Sequence, residues 1–168
     1  MADYLLIAIL IISFITDIKK KRIYNIVTIP AITAGIIYHS FVNGWDGFLF
    51  STYGFLLGFA LLLIPYLLGG IGAGDVKLLA AIGALKGVSF VFYTFLSGAV
   101  IGGMVALVIL IKNKMLISSL KRIYYALLLV KADKDSLNMA DKKGLTSVFP
   151  YGAAIILGTI PAFYLGGF

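Results

Sequence analysis

The chain has 168 residues, of which 61% are hydrophobic and only 12% charged, with a mean hydropathy of +1.06 and not one glutamate. A soluble domain is about 45–50% apolar with about 25% charged residues, so this composition excludes a soluble globular protein and describes an integral membrane one, a single compact domain over residues 1–168. The absence of cysteine removes disulfides, thiolate metal sites and cysteine nucleophiles, a single histidine leaves no ligand set for zinc, and a net charge of +7 in a multispanning chain marks cytoplasmic loops rather than a nucleic-acid partner.

The first apolar run, residues 4–18, ends at Asp17 and the cluster Lys19, Lys20, Lys21, Arg22. A signal peptide carries its charge before the apolar core, so this order predicts a retained first helix. Residues 26–42 form the second span. The turn at Asn43, Gly44, Trp45 and Asp46 has no basic residue, and Trp45 suits a membrane interface. The third span, 47–68, leads into a glycine loop, residues 69–74, that ends at Asp75 and opens a short apolar helix, 76–85. Glycines there admit close backbone approach, and the helix dipole favours an aspartate at its start. That helix is too short to cross about 30 Å at about 1.5 Å per residue, which predicts a locally thin or protein-surrounded position. A break at Lys86 and Gly87 keeps the lysine out of the middle of a long helix, and 88–111 is long enough to cross. Residues 112–146 are the one large polar loop, where Leu116, Leu120, Ile123, Leu127 and Val130 share a helical face suited to lying on the membrane; 147–168 is the last span. The expected fold is all-α, with six transmembrane helices, the fourth of them short, and an amphipathic helix in the cytoplasmic loop.

With the N-terminus outside, thirteen of the fourteen basic residues fall in the cytoplasm and only Lys86 lies outside, as the positive-inside rule requires. Both termini are then extracytoplasmic, and Asp17 and Asp75 lie at the same membrane face. Two carboxylates in contact cannot both ionise, so one stays protonated and polarises a carbonyl while the other activates water. Such a pair titrates as a unit and needs no covalent intermediate, metal or cofactor. From spacing alone, this pair and two separate solvated aspartates both stay open.

At these residues the sequence resembles a known family. Gly72-Ala73-Gly74-Asp75 resembles the GxGD signature of membrane aspartic proteases, and its continuation Val76-Lys77-Leu78 resembles the type IV prepilin peptidase form. The segment from Asp17 through the basic run to Ile23, Tyr24 and Asn25 is similar to that family's first-aspartate pattern, departing by Tyr24 where proline is usual. Phe149-Pro150-Tyr151-Gly152-Ala153-Ala154, with Leu157-Gly158-Thr159, resembles the family's last helix. The resemblance implies an aspartic endopeptidase that removes the leader of pilin-like precursors, single-span proteins whose leader ends just before a long apolar helix, at the cytoplasmic membrane face, with Asp17 and Asp75 catalytic and Gly72 and Gly74 in the active-site loop. Its partners are the precursor and the lipid membrane; a homodimer is left open. Larger bacterial members carry an N-terminal methyltransferase part, often with paired cysteines; this chain has neither, and its first motif is closer to bacterial Tad/Flp-type peptidases than to archaeal preflagellin peptidases.

Other polar residues carry plainer readings. Lys77 lies two positions past Asp75, so their side chains diverge and Lys77 is read as an interfacial anchor. His39 is read as packing; Asn25 either holds the first loop or ends the basic turn. Asp133, Asp135 and Asp141 are read as a solvated loop rather than a binding site for a basic leader, and Gly98, Gly102 and Gly103 as close helix packing. The competing function from another class is a small proton- or ion-coupled transporter with Asp17 and Asp75 as its relay, weakened by the lack of matching broken helices in two halves. A noncatalytic membrane assembly subunit is the third.

Overall fold

The computed structural model describes residues 2–20, 23–112 and 151–165, and every element in them is helical. In chain order these are α1 (Ala2–Lys20), α2 (Asn25–Leu67), α3 (Ala73–Lys112) and α4 (Tyr151–Leu165). The amphipathic helix and polar loop expected over 112–146, and the start of the last span at 147–150, lie outside the described residues beyond Lys112. The chain divides into two compact units, 1–102 with 150–168, and 103–149; of the second, only 103–112, the last turns of α3, is described.

Two of the four helices are interrupted. Within α2, Gly44 has φ 58° and ψ −132°, and within α3, Gly87 has φ 79° and ψ −174°. Both conformations are left-handed backbone that a Cβ disfavours, so glycine stands where each helix must turn. The chain reverses at Gly44: a Cβ on Gly47 would run into the carbonyl of His39. These are the turns expected at 43–46 and 86–87, and they leave six helical segments, 2–20, 25–43, 45–67, 73–86, 88–112 and 151–165.

The segment 73–86 is the centre of the first unit. Val76, Leu78, Leu79, Ala80, Ala81, Ile82, Ala84 and Leu85 are all buried, so the helix is covered on every side by protein. That satisfies the expectation of a protein-surrounded position for a helix too short to span. Both halves of α2 pack on it through glycine. A Cβ at Gly35 would lie 2.9 Å from the Ala84 carbonyl oxygen, one at Gly58 2.5 Å from that of Leu79, and Gly54 and Gly83 face each other so closely that neither can carry a side chain. Small residues of this kind let helices approach where no hydrophobic drive separates protein from lipid.

The break at Gly87 ends this buried helix, and its last carbonyls need donors away from water. Ser51 donates its hydroxyl to the Ala84 carbonyl at 2.6 Å, and His39 Nε2 contacts the Leu85 carbonyl at 2.9 Å. His39 also packs on Tyr38 and Phe50. It is therefore a structural residue, as expected, with the added task of satisfying a broken helix end. Beyond Gly87, the segment 88–102 packs on α4, where a Cβ on Gly98 would meet the Ala154 carbonyl and one on Gly158 would lie 2.6 Å from the Gly98 amide nitrogen. Gly102 also packs on α4, whereas nothing lies within 4 Å of a Cβ at Gly103.

Lys86 pairs with Asp3 (Nζ to Oδ1, 2.5 Å) and sits over the rings of Phe90 and Phe163 at 5.6 and 5.4 Å. By hydrogen bond and charge it holds the Asp3 carboxyl below the usual carboxylate range. This ties the first turn of α1 to the end of 73–86, so the two run antiparallel, and Asp17 lies about 21 Å along α1 from Asp3. The stretches Asn25–Leu67 and Ala73–Val108 are long and apolar enough to cross a membrane. Large apolar side chains such as Phe41, Leu56, Val100 and Leu107 are exposed, which suits a hydrocarbon solvent and a membrane protein.

The glycine contacts make a stability prediction. Gly54→Ala forces a methyl into the Gly83 backbone and is expected to lose roughly 1–3 kcal/mol. Gly103→Ala meets open space and is expected to be neutral or stabilising, since alanine is the better helix former by about 1 kcal/mol. Denaturation of both variants in detergent, read by circular dichroism, checks the order.

Candidate active site

The glycine loop does two separate jobs. Its first part ends a helix: Gly69, at φ 76°, donates to the Tyr66 carbonyl at 2.9 Å, and Gly70 donates to the Pro65 carbonyl at 3.0 Å. This pair of bonds is the Schellman motif, which places a left-handed glycine just past the last helical turn. The second part starts α3. Asp75 is the third residue of that helix and folds back so that Oδ2 accepts the Gly72 amide at 3.3 Å, while the Asp75 amide donates to the Gly72 carbonyl at 3.1 Å. The carboxylate thus takes the place of a capping-box acid, satisfying an amide that the first turn leaves free. A Cβ at Gly72 would stand 3.3 Å from that oxygen, so glycine keeps the carboxylate uncrowded.

Asp17 comes from the last turns of α1 and is buried, 5% exposed. Its Oδ2 accepts the Ala153 amide at 3.0 Å. Ala153 is the third residue of α4, so Asp17 binds an amide of that helix's first turn, where the helix dipole also favours an anion. The approach is close enough to exclude a side chain at the neighbouring residue: a Cβ on Gly152 would lie 2.8 Å from Asp17 Oδ2.

Between the two aspartates runs the short connection into α2. Ile23 fits a notch made by two glycines, with Gly74 and Gly152 each leaving only 2.9 Å between Ile23 and the Cβ they lack. Two residues on, Lys77 Nζ donates to Asn25 Oδ1 at 2.9 Å. That bond clamps the loop after Asp17 to the helix after Asp75. It selects the loop-holding reading of Asn25, and it turns Lys77 away from the carboxylates.

These contacts enclose a cavity of about 330 Å³ whose lining includes Asp17 and Asp75, together with Ile23, Tyr24, Asn25 and residues 72–74. The two carboxylates are within electrostatic reach of each other, and Tyr151 is within reach of Asp75. All four residues singled out in the sequence, Asp17, Gly72, Gly74 and Asp75, therefore line one cavity. His39 belongs elsewhere, at the Gly87 break. Asp133, Asp135 and Asp141 lie outside the described residues. Among the described residues no group of three or more His, Cys, Asp or Glu side chains converges as a metal site. Chemically, the cavity offers two carboxylates within electrostatic reach of each other, beside backbone amides and open loop.

Three members of this site, Ile23, Gly152 and Ala153, fall within the family-like segments of the sequence but have no role assigned there, because their partners are invisible until the fold closes.

No curated protein and no solved structure matches the chain. A family model does: that of the type IV leader peptidase family, over residues 4–107, which takes in both aspartates and the whole glycine loop. Since the match covers more than half of the 168 residues, the chain belongs to the type IV leader peptidase family.

Proposed function

We propose that this membrane peptidase is an aspartic endopeptidase that cuts the leader from pilin-like precursors at the cytoplasmic face, with Asp17 and Asp75 as its catalytic pair. The observation that carries the reading is the shared cavity: two carboxylates, remote in sequence, at one end of the helix bundle, with no cation among the described residues of the lining. One carboxyl, protonated, donates to the oxygen of the scissile carbonyl. The other, ionised, takes a proton from a water whose oxygen adds to the carbonyl carbon. The tetrahedral adduct then breaks its C–N bond as the leaving nitrogen takes a proton from the pair. The first carboxylate recovers a proton from a hydroxyl of the adduct as the new carboxyl forms, so both groups return to their starting protonation states, and no covalent enzyme intermediate is needed. Gly72 and Gly74 keep the loop close enough for a substrate backbone to enter beside Asp75. The family membership supports a peptidase, and nothing observed favours the ion-relay alternative.

In the membrane we infer six crossings with both termini extracytoplasmic. The basic residues support this orientation, as does the Asp3–Lys86 pair at the end of α1 remote from Asp17. For these 168 residues we infer cleavage without methyl transfer, since the six inferred spans and the polar loop of 112–146 leave no stretch among them for a methyl-donor site. Single cysteines at Asn43 and Ser136, clean probes in a chain without cysteine, are expected to label from opposite sides of the membrane. Labelling of both from outside contradicts the topology.

The catalytic proposal is tested on the dyad. Asp17→Asn and Asp75→Asn are each expected to abolish cleavage while the protein stays folded and inserted, because an amide cannot exchange the proton. Groups that act as a unit are non-additive, so the double variant is expected to be no worse than either single one. Glutamate at either position keeps the acid but moves it by about one methylene, and displacement by about 1 Å can cost on the order of a hundredfold in rate. Precursor cleavage followed by gel and mass analysis reads each variant; near-normal cleavage by Asp17→Asn sinks the paired-carboxylate mechanism.

A further inference from the structure

A second cavity lies on the flank of the bundle, and it shares helix α1 with the first. It is a groove of about 400 Å³ between α1 and α4, walled by Ile7, Ile11 and Phe14 on one side and Leu157, Ile160 and Phe163 on the other. Among the described residues the walls carry no charge, and the one hydroxyl there, on Thr159, is turned back onto the Ile156 carbonyl at 2.6 Å. Ile7, Ile11, Leu157 and Ile160 are exposed, so the groove is open along the bundle's side.

Both walls converge on the same group. On α1, Phe14 is followed one turn later by Asp17, at the buried margin of the same stripe. On α4, the stripe through Ile160 and Ile156 reaches Gly152 and Ala153 one turn earlier, and those are the residues that touch Asp17. From residue 7 to residue 14 the groove follows about 10 Å of helix, roughly a third of the thickness of a bilayer's hydrocarbon core, and Asp17 lies one turn further on. At its inner end the chemistry changes abruptly from hydrocarbon to carboxylate, backbone amide and open loop.

We propose that this groove seats the apolar helix of the precursor and delivers the peptide bond at its end to Asp17 and Asp75. The inference rests on the peptidase reading above. In lipid a peptide must keep its backbone hydrogen bonds internal, so a segment lying in the groove is a helix. A wall of apolar side chains without polar groups accepts such a helix by packing, the term that associates helices in a membrane. Where the wall ends, the lining supplies polar partners, and the chain can unwind to present an extended peptide bond to the dyad.

The test places a photoreactive side chain at Ile11 or Ile160 in the full-length Asp75→Asn chain, reconstituted in phospholipid vesicles with a pilin-like precursor. Adducts are expected with the precursor's apolar helix from both positions and not from Leu56, which is exposed on another helix. In the active chain, Ile11→Trp and Ile160→Trp fill the groove and are expected to raise KM for the precursor about tenfold, equivalent to about 1.4 kcal/mol, with kcat less affected, whereas Leu56→Trp leaves KM as it is. Adducts only to phospholipid or to a second copy of this chain, or equal KM for all three tryptophan variants, overturn the groove assignment while leaving the peptidase reading intact. A wild-type chain that cuts no precursor overturns the peptidase reading, and this inference with it.

Discussion

The bond from the Ala153 amide to Asp17 Oδ2 joins the end of the first helix to the start of the last, across 136 residues of chain. A buried carboxylate is tolerated only where something replaces its lost water, and the first turn of a helix is a ready source of free amides and positive dipole. Asp75 meets the same requirement locally, by folding back on the Gly72 amide of its own helix. Two helix starts thus converge on one cavity, and each gives an acid a fixed oxygen. The remaining parts of the site follow from that convergence. Gly152 lacks a side chain because Asp17 is there, and Gly74 lacks one because Ile23 must pass between the two acid-bearing segments.

The rest of the bundle serves to hold a short helix where lipid alone would not. Segment 73–86 carries Asp75 at one end and the Gly87 break at the other, and its sides are fully covered. Burial on all sides demands close neighbours, which explains the glycines at 35, 54 and 58 facing its backbone. Its unpaired final carbonyls demand donors, which explains Ser51 and His39. Polar residues that look incidental in an apolar sequence are here the terminations of a helix that ends inside the protein. The ion pair of Lys86 with Asp3 closes the same end and leaves the opposite end free for the two acids.

Much of this was legible in the sequence because it depends on local rules. Composition and apolar run lengths separate the segments, and the breaks at Gly44 and Gly87 fall where a turn and a misplaced lysine demanded them. The two aspartates stand out as charges at the edges of apolar runs. The left-handed backbone at Gly44 and Gly87 divides α2 and α3 into the four helical segments expected there. What was illegible is what depends on packing between distant segments. Nothing in the residues around Ile23 announces that two glycines, 74 and 152, form its notch, and the spacing of Lys77 from Asp75 says where its side chain does not go but not that Asn25 receives it. The role of α4 was hidden for the same reason: Gly152 and Ala153 read as ordinary small residues of a membrane helix until Asp17 is brought against them.

The central claim is that two carboxylates in a membrane-edge cavity hydrolyse a peptide bond without further chemical help. It is tested most directly by incubating the purified chain, in vesicles containing S-adenosylmethionine, with a pilin-like precursor and weighing both products. The account predicts two fragments whose masses sum to that of the precursor plus one water, with the cut just ahead of the apolar helix and no added methyl group. An intact precursor, together with proton or ion flux through the same vesicles, would contradict it.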